Sequence, residues 1–347
     1  MHDRDGSMSR VFILGAGASR FAGYPLGLDL WAFVRDSSTP SVKVKQIAQH
    51  VIRAMDQILR VIPPREPDRP NLEEVFTLLD LADRGSEILG LSNIKWKVVR
   101  PCMMGLITEA FLWHGYQFEK GDSLRGNELT AHVLEAWTAF LRGDDTIVSF
   151  NWDVLHEAAL WRAHKWHFAD GYGFVYGDAP PQIHSPIKLL KLHGSVNWAQ
   201  GSDDDCEPSV EYKSTFFPPV RDKRDIYRKG AATVDGGRNL IMPSYLKDVA
   251  ANKLLLGLWN QASEAISNAT EIIVIGFQLG PADALARHLV GSAMLRNSRL
   301  SKITVVSPRE GAIHWAGFCG KLRRNWELYP MTFEEWVLKH AQPSSPH

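Results

Sequence analysis

The sequence is poor in cysteine and has no long apolar run. Cys102, Cys206 and Cys319 are the three cysteines among 347 residues, and no two of them form a C-x-x-C pair. Neither a disulfide framework nor a cysteine zinc site is therefore indicated, and we expect no metal. The first apolar run, at residues 11–14, is too short for the core of a signal peptide, and no stretch approaches the roughly twenty apolar residues that cross a bilayer. These absences predict a cytoplasmic protein that does not enter a membrane.

Charge of one sign is not in excess either, because 39 Lys and Arg residues face 39 Asp and Glu residues. No global field therefore draws the chain onto nucleic acid or acidic lipid, and neither partner is expected. The mixed charge run at residues 221–224 is short for a nucleic-acid contact and indicates a solvated loop. With 45% hydrophobic residues, the chain can fill the cores of about two domains, or of one α/β domain with a large insertion.

Short apolar runs that end in small or polar residues predict buried parallel strands. Helical patterns lie between the later runs, and strands that alternate with helices indicate an α/β fold with a doubly wound parallel sheet of the Rossmann type. We assign the first part of this core to residues 1–40 and the remainder to residues 143–310. The predicted strands cover residues 11–14, 146–150, 187–192, 271–277 and 302–307.

The rest of the chain has a different pattern. In residues 41–142 apolar side chains recur at helical spacing and no convincing strand is found, which predicts a large helical insertion. Residues 200–239 are polar and rich in Gly, Pro and Asp, so we expect a long irregular loop or a small irregular subdomain there. Residues 311–347 are interpreted as a C-terminal helical tail.

The first predicted strand runs into a turn of small residues, Gly15-Ala16-Gly17-Ala18-Ser19. Small residues let the backbone approach a pyrophosphate, and a helix that follows would offer its N-terminal amides to the anion. The turn lacks the third glycine of the G-x-G-x-x-G fingerprint, so a tight strand-to-helix turn without a ligand is an equal interpretation.

Polar residues follow two more of the predicted strands, at the edge where ligands bind in open α/β sheets. Asn151 and Asp153 come after one strand, and His193 comes directly after the next. A histidine with a glycine beside it is a reasonable general base, and a packed histidine without a catalytic role is the alternative. Asp153 is equally suited to capping the helix that follows it.

Taken in chain order, these segments resemble the sirtuin-like family, and in particular its bacterial branch found in antiphage defence proteins. The resemblance covers most of residues 10–308 and lies in short motifs whose joint order is specific. The matching segments are Gly15-Ala16-Gly17-Ala18-Ser19, similar to the family's G-A-G-x-S phosphate loop; Phe150-Asn151-Trp152-Asp153, similar to its Q-N-I-D element; Leu192-His193-Gly194-Ser195, similar to the segment with the catalytic histidine; Gly276-Phe277 with Asp283; and Val305-Val306-Ser307.

The resemblance implies a sirtuin-type core that binds NAD as its substrate, with Asn151 and His193 as the catalytic residues. Asp153 would contact the nicotinamide carboxamide, Asn151 would hold the ribose or a water, and His193 would act as the base. The NAD-binding residues that the resemblance implies are Gly15, Ala16, Gly17, Ser19, Asn151, Asp153, Gly276, Phe277 and Ser307.

The sequence departs from the sirtuin deacylases in the part that handles a protein substrate. The deacylases carry a four-cysteine zinc module after the catalytic histidine, whereas residues 200–239 hold one cysteine. Gly23-Tyr24-Pro25-Leu26-Gly27 stands in place of their G-I-P-D-F-R stretch, and no counterpart of the F-G-E strand that holds the acyl-lysine peptide is found. These departures favour hydrolysis of NAD to nicotinamide and ADP-ribose over deacylation. A catalytically silent NAD or ADP-ribose sensor is the third alternative.

A constitutive NAD hydrolase would harm its own cell, so we expect regulation by assembly or by a partner. In the branch that the sequence resembles, such partners include translocase-type ATPases and Argonaute-like proteins. We therefore expect a homo-oligomer with a regulatory partner protein, acting as an effector in antiphage defence.

Overall fold

A computed structural model describes residues 9–36, 42–61, 70–84, 96–120, 127–174, 184–200, 210–212, 238–240, 244, 249, 253–280, 283–322 and 325–340. These ranges contain ten α-helices and nine β-strands. The helices are α1 (Leu30–Asp36), α2 (Val42–Val61), α3 (Leu72–Arg84), α4 (Trp96–Lys120), α5 (Asn127–Phe140), α6 (Leu155–Arg162), α7 (Lys253–Asn268), α8 (Ala284–Arg296), α9 (Arg309–Leu322) and α10 (Phe333–His340). The strands are β1 (Arg10–Leu14), β2 (Thr146–Ser149), β3 (Lys188–Lys191), β4 (Gly194–Gln200), β5 (Val210–Tyr212), β6 (Arg238–Leu240), β7 (Glu271–Ile275), β8 (Lys302–Val306) and β9 (Trp326–Tyr329).

Six strands form one sheet in the order β3-β2-β1-β7-β8-β9, and every neighbouring pair in it is parallel. This is the strand order of the doubly wound Rossmann fold, in which the winding reverses between two central strands, here β1 and β7. β1 is buried over its whole length, as expected of a parallel strand with both faces covered by helices. The predicted α/β fold with a doubly wound parallel sheet is confirmed.

The strands end at one common level, which brings the residues after them to one edge. The register pairs Leu14 with both Ser149 and Ile275, Ser149 with Lys191, and Ile275 with Val306. The residues that follow these positions lie at the carboxyl edge of the sheet, around the point where the strand order reverses. In open α/β sheets this edge holds the ligand crevice.

Between residues 42 and 140, every regular element that the structure describes is a helix, which gives the fold its large helical insertion. α4 packs against α1, α2 and α3 and reaches the small strands β4 and β6, whereas α5 packs on α6 and α10. Val51, Met55 and Ile58 of α2 are buried at helical spacing, as the pattern predicts. No helix in the described part of the chain is both long enough and apolar enough to pass through a membrane.

Three short strands form a second, antiparallel sheet in the order β5-β4-β6. β4 begins immediately after His193, and β5 lies inside residues 200–239. The prediction of an irregular loop was therefore wrong at residues 210–212 and 238–239, while the other residues of that stretch beyond Gln200 lie outside the described part. Strands of three residues are too short for an alternating pattern to be visible in the sequence.

The C-terminal segment also differs from its prediction as a helical tail. α9 and α10 are helical, but β9 lies between them and adds a sixth strand beside β8. β9 is an edge strand whose residues are exposed or half-buried. An edge strand lacks the continuous apolar run by which the buried strands were found, so the strand at residues 302–307 was wrongly taken as the last.

Candidate active site

The turn after β1 consists of two short 3₁₀ turns rather than the start of an α-helix. They cover Ala16–Ala18 and Arg20–Ala22, and the first α-helix begins only at Leu30. Four amides of the turn already donate to main-chain carbonyls: those of Gly15, Gly17, Ala18 and Ser19. The prediction that a helix N-terminus presents open amides to a phosphate here was wrong. Ala16 is the exposed residue of the turn.

The glycines of this turn are required by contact with the turn after β7. A Cβ atom on Gly15 would lie 2.6 Å from the carbonyl oxygen of Gly276, and one on Gly17 would lie 2.7 Å from the Gly276 Cα. Gly276 itself has φ +62°, and a Cβ there would lie 2.5 Å from the amide nitrogen of Ala18. The amide of Gly17 donates to the Gly276 carbonyl at 3.1 Å. The two predicted binding segments therefore form one backbone-to-backbone unit at the point where the strand order reverses.

Asn151 joins the turn after β2 to the glycine turn. Its side chain is 6% exposed, and its Nδ2 donates to the Gly15 carbonyl at 2.9 Å and to Ser19 Oγ at 3.2 Å. Its Oδ1 makes no hydrogen bond with any residue that the structure describes. The amide group is thus held in one orientation by its two hydrogen bonds.

Asp153 lies one residue before Val154, the N-cap residue of α6, and still bonds the first amide of that helix. Its Oδ1 accepts from the amide of Leu155 at 3.1 Å, at the first residue of α6. The side chain is buried at 3% exposure, so the cap is protected from water. A contact between Asp153 and a nicotinamide carboxamide stays a prediction.

His193 lies in a cluster of rings at the ends of β2, β3 and β7. It is half-buried and meets the ring of Phe150 edge-on, with centroids 5.1 Å apart. Phe150 in turn stacks on Phe277, with centroids 4.3 Å apart and planes 3° from parallel. The predicted residues His193 and Phe277 are thus brought together through Phe150, which the sequence analysis did not assign to the site.

Ser307 follows β8 and is buried at 2% exposure. Its amide donates to the carbonyl of Tyr329 at the end of β9, so the late edge strand helps to hold it. A Cβ atom on Gly311 would lie 2.3 Å from Ser307 Oγ. Because Gly311 on α9 has no side chain, there is room for the Ser307 hydroxyl at this edge of the sheet.

A buried ion pair next to the turns that hold Asn151 and His193 was missed from the sequence. Lys191 and Glu157 are each 1% exposed, and their Nζ and Oε1 atoms lie 2.7 Å apart. Burial raises the pKa of Glu157, and the ammonium of Lys191 opposes that rise. A lysine inside the apolar run of β3 and a glutamate inside the apolar start of α6 were the available signals, because charges on buried elements need partners.

His156 is a second buried titratable group next to Asp153. Its ring lies among the rings of Trp137 and Phe333. Burial lowers the pKa of His156 from an ordinary 6.5 to about 4, against the opposing effect of the Asp153 carboxylate. The side chain is therefore neutral at pH 7 and acts as part of the core.

The helical insertion contacts both turns through α4. The ring of Phe111 lies 5.5 Å from that of Tyr24 and 6.0 Å from that of Trp152, next to Asn151. His114 is hydrogen-bonded to the carbonyl of Ala22 at 2.8 Å. α4 therefore holds the loop that contains residues 22–24.

A cavity of about 600 Å³ opens between that loop and the helices α1 and α4. Its lining is mixed, with the aromatic rings of Tyr24 and Phe33, the charged Arg20 and Asp29, and His114. A volume of this size is within the range of small-molecule sites. The cavity starts at Arg20, one residue after the glycine turn ends.

Within the described residues, no three His, Cys, Asp or Glu side chains come together as metal ligands. Cys102 and Cys319 form no disulfide among the described residues, and Cys206 lies outside the described part of the chain. The predicted absence of a metal stays a prediction, because most of residues 201–239 are outside that part as well.

Comparison with known proteins finds similar solved structures but no matching sequence family. One structure, described as the structural basis for the mechanism and regulation of Sir2 enzymes, is 12% identical over 97% of this chain and 91% of that chain, with a TM-score of 0.38. Another, described as the structural basis of sirtuin substrate affinity, is 16% identical over 99% of this chain and 96% of that chain, with a TM-score of 0.37. No family model and no curated protein matches the chain. The fold assignment therefore rests on the strand order and register given above.

Proposed function

We propose that this chain binds NAD at the carboxyl edge of its six-stranded sheet and hydrolyses the nicotinamide–ribose bond. The observation that supports this most is the pair of hydrogen bonds from Asn151 Nδ2 to Gly15 and Ser19. They make the glycine turn and the Asn151 turn one structure, with His193 at the end of the adjacent strand. These are the segments in which the sequence resembles the sirtuin-like family.

The proposed reaction requires a correctly oriented ribose and one base, and it requires no strong acid. Cleavage develops oxocarbenium character at the anomeric carbon, and the nicotinamide of NAD is already a good leaving group. The Oδ1 of Asn151 would accept a hydrogen bond from the ribose or from the attacking water. His193 would take the proton of that water as it bonds to the anomeric carbon. The products are ADP-ribose, nicotinamide and one proton.

Water rather than an acyl group is proposed as the nucleophile. The support is in the sequence, which has no four-cysteine module and no F-G-E strand. The experiment is incubation of the purified protein with NAD, with and without an acetylated peptide, followed by chromatographic analysis of nicotinamide. We expect nicotinamide and ADP-ribose in equal amounts without peptide. Release only with peptide would indicate a deacylase, and binding without release would indicate a sensor.

We also propose that the activity is regulated by assembly, in an antiphage defence role with a homo-oligomer and a partner such as a translocase-type ATPase or an Argonaute-like protein. The support is the resemblance to the defence branch and the packing of α4 on both turns. Leu129 on α5 is 58% exposed and Ile313 on α9 is 71% exposed. If residues 41–142 mediate assembly and gate His193, Leu129→Glu should change oligomeric state and NAD turnover together, whereas Ile313→Glu should change neither.

Light scattering at several concentrations, with turnover measured in parallel, tests this. A monomer that is fully active at low concentration would show that the insertion is only a cap over the crevice. So would an oligomer whose contacts leave residues 41–142 untouched.

A further inference from the structure

The ammonium group of Lys191 has no role in the proposed chemistry, yet it is almost completely removed from water. Its side chain is 1% exposed, and lysines are rarely buried to this degree unless they are paired. The pairing partner is Glu157 on α6, at 2.7 Å. Nζ also donates a hydrogen bond to the main-chain carbonyl of Asp153. One side chain from β3 therefore reaches both α6 and the turn that precedes it.

Lys191 connects the two segments that carry the catalytic residues. It lies two residues before His193, and its partner carbonyl lies two residues after Asn151. The main chain links the same segments elsewhere, because the amide of Val196 donates to the carbonyl of Trp152 at 3.0 Å. The Lys191 contact is the side-chain link that reaches Asp153.

The ion pair is enclosed by further polar groups. The Tyr172 hydroxyl lies 3.5 Å from Glu157 Oε1 and accepts a hydrogen bond from Asn197 Nδ2 at 2.9 Å. Asn197 lies on β4, four residues after His193. The network thus begins at Lys191 and ends at Asn197, and both residues lie on the chain segment around His193. Replacing a buried ion pair by apolar groups is often neutral for stability, so stability alone does not account for the pair.

We propose that Lys191 is a positioning residue that fixes the Asn151 turn relative to His193 by holding the Asp153 carbonyl and Glu157 together. This inference rests on the proposed NAD cleavage. Misplacement of a reacting group by about 1 Å can lower a rate by about 100-fold. Loss of the Lys191 contact should therefore lower kcat more than it raises KM, because the glycine turn at residues 15–19 is left in place while the Asn151 turn is displaced.

The test separates positioning from stability by removing both charges at once. Lys191→Met alone leaves Glu157 unpaired and should lower the melting temperature. Lys191→Met combined with Glu157→Gln leaves no unpaired charge, and its melting temperature should return towards that of the wild type. We expect kcat of this double variant to stay about 10- to 100-fold below that of the wild type.

A matched ion pair lies at the opposite edge of the sheet. Arg10 is the first residue of β1, and Asp145 directly precedes β2. Their charged atoms are 2.6 Å apart, and their side chains are 4% and 0% exposed. Arg10→Met combined with Asp145→Asn removes an equally buried pair that is remote from the catalytic turns. Because no charge is left unpaired, we expect its melting temperature to stay near that of the wild type. We expect kcat to stay within about twofold of the wild type, since distant sites act independently.

Wild-type kcat in the folded Lys191→Met/Glu157→Gln variant would overturn the inference while NAD cleavage stood. Absence of cleavage by the wild type would instead refute the proposed function. If the double variant does not fold, Glu157→Gln alone decides, because it removes the charged partner that holds Nζ next to the Asp153 carbonyl. A loss of kcat of about 10-fold or more supports the inference, and an unchanged kcat contradicts it.

Discussion

Asn151→Asp changes one atom of the proposed site, because it replaces the Nδ2 amide by an oxygen of nearly the same size. The wild-type Nδ2 donates to the Gly15 carbonyl at 2.9 Å and to Ser19 Oγ at 3.2 Å. The aspartate loses the donor to Gly15 and places a carboxylate oxygen against a carbonyl oxygen. The acceptor that corresponds to Oδ1 is kept, so the variant tests the orientation of the site rather than the presence of an acceptor.

The expected loss of stability follows from these contacts. Two hydrogen bonds with a net contribution of about 0.5–1.5 kcal/mol each are weakened or lost, and the buried carboxylate adds a desolvation cost, so we expect a total of about 2–4 kcal/mol. A protein of ordinary stability, about 5–15 kcal/mol, stays folded after such a loss. The rate of nicotinamide release should fall by about 100-fold, because the ribose is no longer held in the reactive orientation.

Asn297 provides a matched control away from the site. It is fully buried, and its Nδ2 donates to the carbonyls of Ile266 and Ala269 at 2.7 and 2.8 Å. Asn297→Asp should lose similar stability in urea unfolding while nicotinamide release by the folded protein is unchanged. The proposed role of Asn151 is refuted if Asn151→Asp is folded and keeps wild-type release, or if both variants lose release to the same extent.

Three further predictions concern the turn, the core and the absence of a metal. Gly276→Ala should lower stability by about 2–4 kcal/mol in urea unfolding and weaken NAD binding in calorimetric titration, because φ is +62° and the added Cβ lies 2.5 Å from the Ala18 nitrogen. In the control Gly257→Ala in α7, nothing lies within 4 Å of the added atom, so this variant should be neutral or slightly stabilising in the same two measurements. The lowered pKa of His156 means that the unfolded chain binds a proton between pH 6.5 and about 4 that the folded chain does not, so stability falls as the solution is acidified through that window. Between pH 7 and pH 5 the free energy of unfolding should fall by about 2 kcal/mol because of His156. His156→Gln should abolish this part of the difference between urea unfolding at pH 7 and at pH 5, and an unchanged difference would contradict the lowered pKa of His156. A strong chelator should leave both melting temperature and nicotinamide release unchanged, and stoichiometric zinc whose removal abolishes activity would show this to be wrong.

The sheet and its edge were predictable because burial on both faces imposes a simple pattern. β1, β2, β7 and β8 are apolar runs that end in small or polar residues, and the site lies where those runs stop. Their order in the sheet follows from the alternation with helices together with the Rossmann rule. β9 was not predicted, because an edge strand has no such apolar run.

The interior of the site was less predictable, because it depends on contacts between distant segments. The sequence indicates that Gly15 and Gly276 matter but not that the turn of one packs on the backbone of the other. The 3₁₀ form of the glycine turn, in which four of the five amides are already bonded, is likewise set by tertiary contacts. Lys191 and Glu157 are each visible as a charge in an apolar element, yet nothing in a single sequence pairs them across 34 residues.

The most direct test of the proposed site is a crystal structure of the His193→Ala variant with NAD bound. Loss of the base should leave the substrate intact while the glycine turn and Asn151 still hold it. We predict that the nicotinamide–ribose bond lies between Asn151 Oδ1 and the position of the missing imidazole, with the phosphates over Ala16. NAD bound elsewhere, or bound with this bond remote from both residues, would contradict the proposed site.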